Sequence, residues 1–466
     1  MSEQTFSVRD KRVVVVGAAR SGVAAAELLV RRGARVTLTD RKPEPEIALD
    51  TETKDRLRAA GVTLELGRHD DSTFSSADLI VLSPGVPTTI QPIQLAKSAG
   101  VPVTGELELA SRWLRGRMVA ITGTKGKSTT TTLIGRMLEA GGHRVLVGGN
   151  IGIALSTQVE ASTDDTLNVI ETSSFQLQST DTFHPWIAVL LNFSPDHLDQ
   201  HASVEEYASA KARIFAQQSE TDWAVLNADD PAVLALAQNA RARRMFFSMT
   251  NSVTEGIVLA GDTIVRKTAD GEQPLMPLSS VKLLGRHLIA DVLAAAAVAS
   301  IAGVDSAAMT RVVEGFTGLE HALEPVTEIA GVRFVNDSKA TNIEAARRAI
   351  ESFDDGVVVV LGGRFKGGDF KDLMLPLAER HATVIAIGES RPLIREALSS
   401  VVSVHEADDM SAAVRTAFAS ASPGGTVVLA PACSSFDMFR DYAERGRVFK
   451  QEVRKLQEEW STTREQ

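Results

Sequence analysis

Short apolar runs alternate along the chain with longer segments whose apolar residues recur at helical spacing. Residues 12–16, 35–39, 78–82, 118–121, 144–147, 166–170, 187–191 and 223–226 read as buried strands. Residues 332–335, 357–361, 383–387 and 426–429 repeat the pattern towards the C-terminus. Between them, 23–32, 106–113, 204–217 and 288–302 carry helical periodicity, as do segments opening at Lys127 and Ile343. Strands alternating with helices predict an α/β architecture of mostly parallel sheets. From about 245 to 281 the pattern gives way to short strands and turns. At 466 residues the chain exceeds what one core holds. Breaks near Gly105 and Thr317 suggest three domains: 1–105, Rossmann-like; 106–317, a central P-loop ATPase domain; and 318–466, Rossmann-like again.

The turn after 118–121 carries the strongest chemistry. Gly123-Thr124-Lys125-Gly126-Lys127-Ser128-Thr129 joins an apolar strand to a helix N-terminus. Backbone N–H groups and the helix dipole there favour an anion, and glycines admit it closely. Lys127 would reach the terminal phosphates and Ser128 would ligate Mg²⁺. The general P-loop has a glycine where this chain has Ile121, so a chance glycine-rich turn is the competing reading. The strand before it and the helix after it favour nucleotide. Glu171, closing the run 166–170, is placed as a second Mg²⁺ support, the alternative being a helix-capping acid. His197 emerges after the run 187–191, at the same sheet edge, and is assigned near metal or phosphate rather than to an ordinary loop. Lys211, midway along 204–217, is by default a solvated charge. Ala208, Ala212 and Phe215 around it leave open an inward-facing amine that adds CO₂ to become a metal-binding carbamate.

The opening β-α-β unit has Gly17 and Gly22 in its turn and Asp40 at the end of its second strand. Ala19 stands where a dinucleotide fingerprint has glycine, which argues for a nucleotide group other than NAD. Ser83-Pro-Gly85 breaks a neighbouring strand and, alone, is merely a turn; paired with the first turn it would close a nucleotide-sugar site. The C-terminal strand-end loops 336–342, 362–369 and 431–436 collect small, hydroxyl and cationic residues suited to a doubly anionic substrate.

Bulk composition narrows the picture. A net charge of −10 argues against nonspecific nucleic-acid binding, and no apolar run approaches a membrane span. The one cysteine, Cys433, excludes an internal disulfide and a cysteine-built metal cluster. The N-terminal residues lack the features of a signal peptide, so a cytoplasmic location is expected.

Together these motifs resemble the Mur ligase family, over nearly the whole length. Residues 123–129 mark the superfamily, and Asn336-Asp-Ser-Lys-Ala-Thr-Asn342 with Ser83-Pro-Gly85 points to its D-glutamate-adding branch. The resemblance implies ATP-dependent ligation of D-glutamate to UDP-N-acetylmuramoyl-L-alanine through an acyl phosphate, in peptidoglycan precursor synthesis, by a monomer using two Mg²⁺ ions. It implies that closure of the C-terminal domain completes the site. Lys127, His197 and Lys211 would be catalytic, and Lys211 would be carbamylated. Ser128, Glu171, His197 and Lys211 would support metal. Residues 123–129 with His287, Asp337 and Lys339 would hold nucleotide. Ser21, Asp40, Arg41, Ser83, Gly85 and Asn150 would hold the UDP-sugar substrate, and Lys366, Ser435 and Tyr442 would hold D-glutamate. Departures from the family pattern are Leu288 after His287, where an adenine-contacting asparagine is usual, and Ala322 after His321, where an arginine is usual. Folylpolyglutamate synthetase, which lacks a counterpart of the first hundred residues, is the nearest enzymatic alternative. A noncatalytic nucleotide-binding relative is the other.

Overall fold

Each apolar run becomes a strand in one of three sheets. The computed structural model describes residues 6–47, 49–194, 203–250, 253–282, 287–421 and 423–464. The first sheet contains β1 (Arg12–Val16), β2 (Arg35–Asp40), β3 (Thr63–Leu66), β4 (Leu79–Leu82) and β5 (Val103–Gly105), all parallel, in the order β3-β2-β1-β4-β5. Chain order reverses between β1 and β4. The turns after these two strands therefore face one crevice, where open α/β sheets bind ligands.

The central sheet holds β6 (Arg117–Thr122), β7 (Arg144–Gly149), β8 (Thr166–Glu171), β9 (Ile187–Leu190), β10 (Trp223–Asn227), β11 (Arg243–Ser248), β12 (Gly256–Ala260), β13 (Thr263–Thr268) and β14 (Gly271–Pro277). Its order is β14-β13-β12-β11-β10-β9-β6-β8-β7, parallel from β7 across to β12, with antiparallel β13 and β14 at the edge. Strands β6, β8 and β9 are almost entirely buried, as uninterrupted apolar runs covered on both faces must be. The helix His287–Ile301 packs on this sheet and against the helix Lys127–Ala140. Its unbroken buried run from Val292 to Ala299 is mostly alanine, which lets the two helices approach closely.

The third sheet runs β15-β16-β20-β17-β18-β19, from β15 (Glu324–Ile329), β16 (Val332–Asn336), β17 (Val357–Gly362), β18 (Thr383–Ile387), β19 (Ser403–Glu406) and β20 (Thr426–Leu429). It is parallel apart from β15. The fold thus comprises three α/β sheets with helices between their strands, as the alternating pattern implies. Compactness divides the chain into two units, 1–281 with 286–315, and 282–285 with 316–466. The first two sheets share one unit.

Several boundaries move from the sequence expectation. The first helix begins at Arg20 rather than 23, because its N-cap already lies at Ala19. The helix expected over 106–113 ends at Ser111. The segment 204–217 is α-helical only over Val204–Ala212, then tightens to a 3-10 turn at Arg213–Phe215. The closing helix Tyr442–Arg464 and the antiparallel strand β15 are additions.

Glu108 ties the first sheet's exit helix to the central sheet. It is buried, and its carboxylate accepts the N–H groups of Asp181, Thr182 and Phe183, the Thr182 hydroxyl and the Arg112 guanidinium. Burial pushes its carboxyl up, but the Thr182, Asp181 and Arg112 hydrogen bonds outweigh this and hold it below the ordinary glutamate value of 4.5. Glu108→Ala strands three backbone donors and should lower unfolding free energy by about 3 kcal/mol in chemical denaturation. Since the folded value is depressed, this contribution should be present above about pH 4.5 and fade as pH falls through the folded value.

Candidate active site

The phosphate cradle is built at the β6–β9 switch point. Gly126 takes the left-handed conformation (φ 79°) and caps the helix Lys127–Ala140, leaving the first-turn N–H groups directed outward. Asn192, just past β9, clamps the turn from the neighbouring strand. Its side-chain oxygen accepts the Lys125 N–H (2.9 Å) and its amide donates to the Lys125 carbonyl (3.1 Å). The Thr124 hydroxyl donates to the Ser194 carbonyl (3.1 Å), accepts the Ser194 N–H and meets the Tyr207 hydroxyl at 3.2 Å.

Two lysines converge on this turn. Lys127 Nζ donates to the carbonyls of Gly123 (3.0 Å) and Thr124 (2.9 Å). Lys211 Nζ, 1% exposed, donates to the same Gly123 carbonyl at 2.8 Å and lies over the Tyr207 ring, 4.6 Å from its centroid. The solvated-charge reading of Lys211 is therefore overturned: the helix turns it inward, against the P-loop.

Glu171 ends β8 beside β6. Its Oε1 accepts the Asn150 amide at 2.7 Å, while Oε2 is buried with no hydrogen-bond partner among the described residues. An orphaned carboxylate oxygen at the rim of a phosphate cradle fits a divalent cation. Among the described residues no three His, Cys, Asp or Glu gather at one point. His197 lies outside the described residues, as does the side chain of His287, whose backbone opens the helix His287–Ile301. Leu288 is half-buried on that helix. Asp291, also on it, is buried against Gly126: a Cβ added to that glycine would stand 2.1 Å from its Oδ1. Burial raises the Asp291 carboxyl to about 8, against the opposing effects of Thr130 and the Lys127 charge.

In the first sheet the two strand-end turns are joined. Ser83 Oγ donates to the Gly17 carbonyl at 2.8 Å, and a Cβ on Gly22 would stand 1.8 Å from that same oxygen. Asp40 accepts the Ala18 N–H (2.8 Å) and the Lys42 N–H (2.9 Å), so it orders the turn as well as facing the crevice. Ser21 sits in the first turn of the helix Arg20–Arg31, and Arg41 is exposed. A cavity of about 520 Å³ opens at Ser83–Thr89 and reaches Glu106, Gln176 and Gln178.

In the second unit three strand-end loops interlock. Arg364 and Ser434 exchange backbone hydrogen bonds (2.9 and 3.0 Å), and the Ala432 N–H donates to the Ala340 carbonyl. Buried Arg445 donates to Ser338 and to the Cys433 carbonyl, tying the same loops from below; burial lowers its guanidinium to about 10. Lys366 lies over the Phe436 ring, Ser435 is buried, and Tyr442 packs edge-on to His321. Asp337 accepts the Leu323 N–H, and burial raises it to about 7 although that bond and Lys339 oppose the shift. His321 (φ 66°) and Leu323 (φ 45°) flank Ala322 in left-handed backbone.

Three domain families match in chain order: Mur ligase MurD-like N-terminal domain over residues 11–105, Mur ligase middle domain over 121–299, and Mur ligase glutamate ligase domain over 323–433. The UDP-N-acetylmuramoylalanine–D-glutamate ligase of Acidobacterium capsulatum is 45% identical over 447 residues, 96% of each chain. That of Koribacter versatilis is 42% identical over 97% of this chain and 99% of its own. The chain belongs to the Mur ligase family. Two solved structures share the fold at 18% identity. One is a UDP-N-acetylmuramate–alanine ligase of Thermotoga maritima (TM-score 0.58, covering 96% of this chain and 99% of that one). The other is a pseudomurein peptide ligase type C of Methanothermus fervidus (TM-score 0.57, covering 96% and 100%).

Sequence reasoning missed Asn192, Tyr207 and Asp291. Asn192 alone carried a signal, as a polar residue directly after a buried strand next to the P-loop. At Gly126 a side chain meets both left-handed backbone and the Asp291 carboxyl. Gly126→Ala should therefore weaken ADP binding at least about tenfold by calorimetry, with circular dichroism unchanged.

Proposed function

We propose that this member of the Mur ligase family joins D-glutamate to UDP-N-acetylmuramoyl-L-alanine at the expense of ATP, a step in peptidoglycan precursor synthesis. It is an ATP-dependent amide-forming ligase. The observation that carries the reading is the lysine-lined cradle at residues 123–129, within a chain whose relatives bearing that name match it end to end. The folylpolyglutamate alternative leaves the first sheet without a purpose.

Amide formation needs an activated acid, because a carboxylate repels an attacking amine. A carboxylate oxygen of the alanyl group attacks the γ-phosphorus, the bond to the ADP oxygen breaks, and an acyl phosphate forms. The D-glutamate amine then attacks the carbonyl carbon, a C–N bond replaces the C–O bond, and phosphate leaves with a proton released. In this assignment the backbone of residues 123–129 wraps the phosphates and Lys127 neutralises charge on the transferred group. Ser128, Glu171, His197 and a carbamate on Lys211 would hold Mg²⁺, at two sites, which would supply further charge neutralisation. The buried Lys211 amine suits that modification: its neutral form attacks CO₂, an N–C bond forms, and one proton is lost.

Ser21, Asp40, Arg41, Ser83, Gly85 and Asn150 are assigned to the UDP-sugar substrate. Lys366, Ser435 and Tyr442 are assigned to D-glutamate, and His287, Asp337 and Lys339 to nucleotide. Domain limits of 1–105, 106–317 and 318–466 accompany the reading, as does a monomer working in the cytoplasm, where ATP is supplied. Among the described residues no helix is long and apolar enough to cross a membrane.

ADP release should require UDP-N-acetylmuramoyl-L-alanine, D-glutamate and ATP together, each omitted in turn; release that ignores the two acceptors would refute the assignment. Lys211→Ala should lower turnover by about 10³-fold, with partial recovery in short carboxylates. Full activity in that variant would remove the carbamate.

A further inference from the structure

Asp291 takes no part in the chemistry above, yet its carboxyl fills the space directly beneath the P-loop. It is 4% exposed, on the inward face of the alanine-rich helix His287–Ile301. Oδ1 abuts Gly126, leaving no room for a side chain there; Oδ2 is buried without a close hydrogen-bond partner among the described residues, and Thr130 is the polar side chain that acts on the carboxyl. An ionised carboxylate there would be desolvated, and it would stand close to the polyanion that the cradle holds. A neutral acid of the same shape avoids both penalties.

The only charge acting on it among the described residues is Lys127, whose ammonium is turned to the Gly123 and Thr124 carbonyls. The other charged groups on the elements packed against this helix (Arg136, Glu139, Arg243, Arg244, Arg311 and Glu314) are exposed.

Building on the ATP-site reading, we propose that Asp291 is a positioning residue for the phosphate cradle, acting as an uncharged acid that props Gly126 from the helix side. Ionising it would drive the carboxylate towards water and unseat the turn, so nucleotide affinity should carry an alkaline limit set by this residue. Its raised titration, to about 8, places that limit just above neutrality.

The test is ADP binding to the full-length protein by calorimetry between pH 7.5 and 9.5, for the unaltered chain, Asp291→Asn and Asp291→Ala. Asparagine keeps the shape and cannot ionise. The unaltered chain should lose about tenfold in affinity over this range. The asparagine variant should hold one affinity throughout, and the alanine variant should bind more weakly than it at every pH. Parallel curves for the unaltered and asparagine proteins would overturn the proposal.

Thermal unfolding without nucleotide, from pH 4 to 9, reads the same property apart from binding. A raised folded value means that the unaltered chain loses stability relative to Asp291→Asn as pH rises from about 4 to about 8, with no further change above. A gap independent of pH would overturn it. Failure of the unaltered protein to take up ADP at pH 7.5 would instead defeat the ATP-site reading, and the unfolding comparison would still decide the state of Asp291.

Discussion

One backbone carbonyl, that of Gly123, receives two ammonium groups. Lys127 reaches it from the helix that follows the turn, and Lys211 from a helix some ninety residues further along the chain. In a molecule of net charge −10, this buried concentration of positive charge is a local exception that folding must maintain. It is maintained by neutral clamps, the Asn192 amide and the Thr124 hydroxyl, and by an acid beneath the turn whose burial opposes ionisation. Backbone N–H groups at the helix N-terminus and the two lysines together suit this turn to a polyanion such as a triphosphate.

The three sheets each position their loops by the same device. In each, parallel strands deliver their loops to one edge, and the order of the strands sets which loops meet. Gly17 meets Ser83 because β1 neighbours β4, and the P-loop meets Asn192 because β6 neighbours β9. In the third sheet β20 lies between β16 and β17, so loops distant in sequence interlock around Arg445. Residues more than a hundred positions apart, such as Ser338 and Arg445, thus become neighbours.

The α/β plan was legible because strands covered on both faces keep uninterrupted apolar runs, as at residues 187–190 and 357–361. The P-loop was legible because phosphate binding by backbone demands glycines at fixed places. Lys211 was not settled by periodicity, since the small residues around it allowed either face; contact with a carbonyl eighty-eight positions away decides it. Asp291 gave no signal, because an acid in an alanine-rich helix reads as its solvent face until the packing partner is known. Glu108 and Arg445 were silent for the same reason: most of their partners are backbone groups brought close only by the fold.

The central claim is that the cradle hands the end of a triphosphate to a carboxylate. It can be followed atom by atom by giving the enzyme UDP-N-acetylmuramoyl-L-alanine labelled with ¹⁸O in the alanyl carboxylate, together with ATP and D-glutamate, and analysing the released phosphate by mass spectrometry. An acyl phosphate requires one ¹⁸O to leave with each phosphate as the amide forms. Amide product accompanied by unlabelled phosphate would contradict the account.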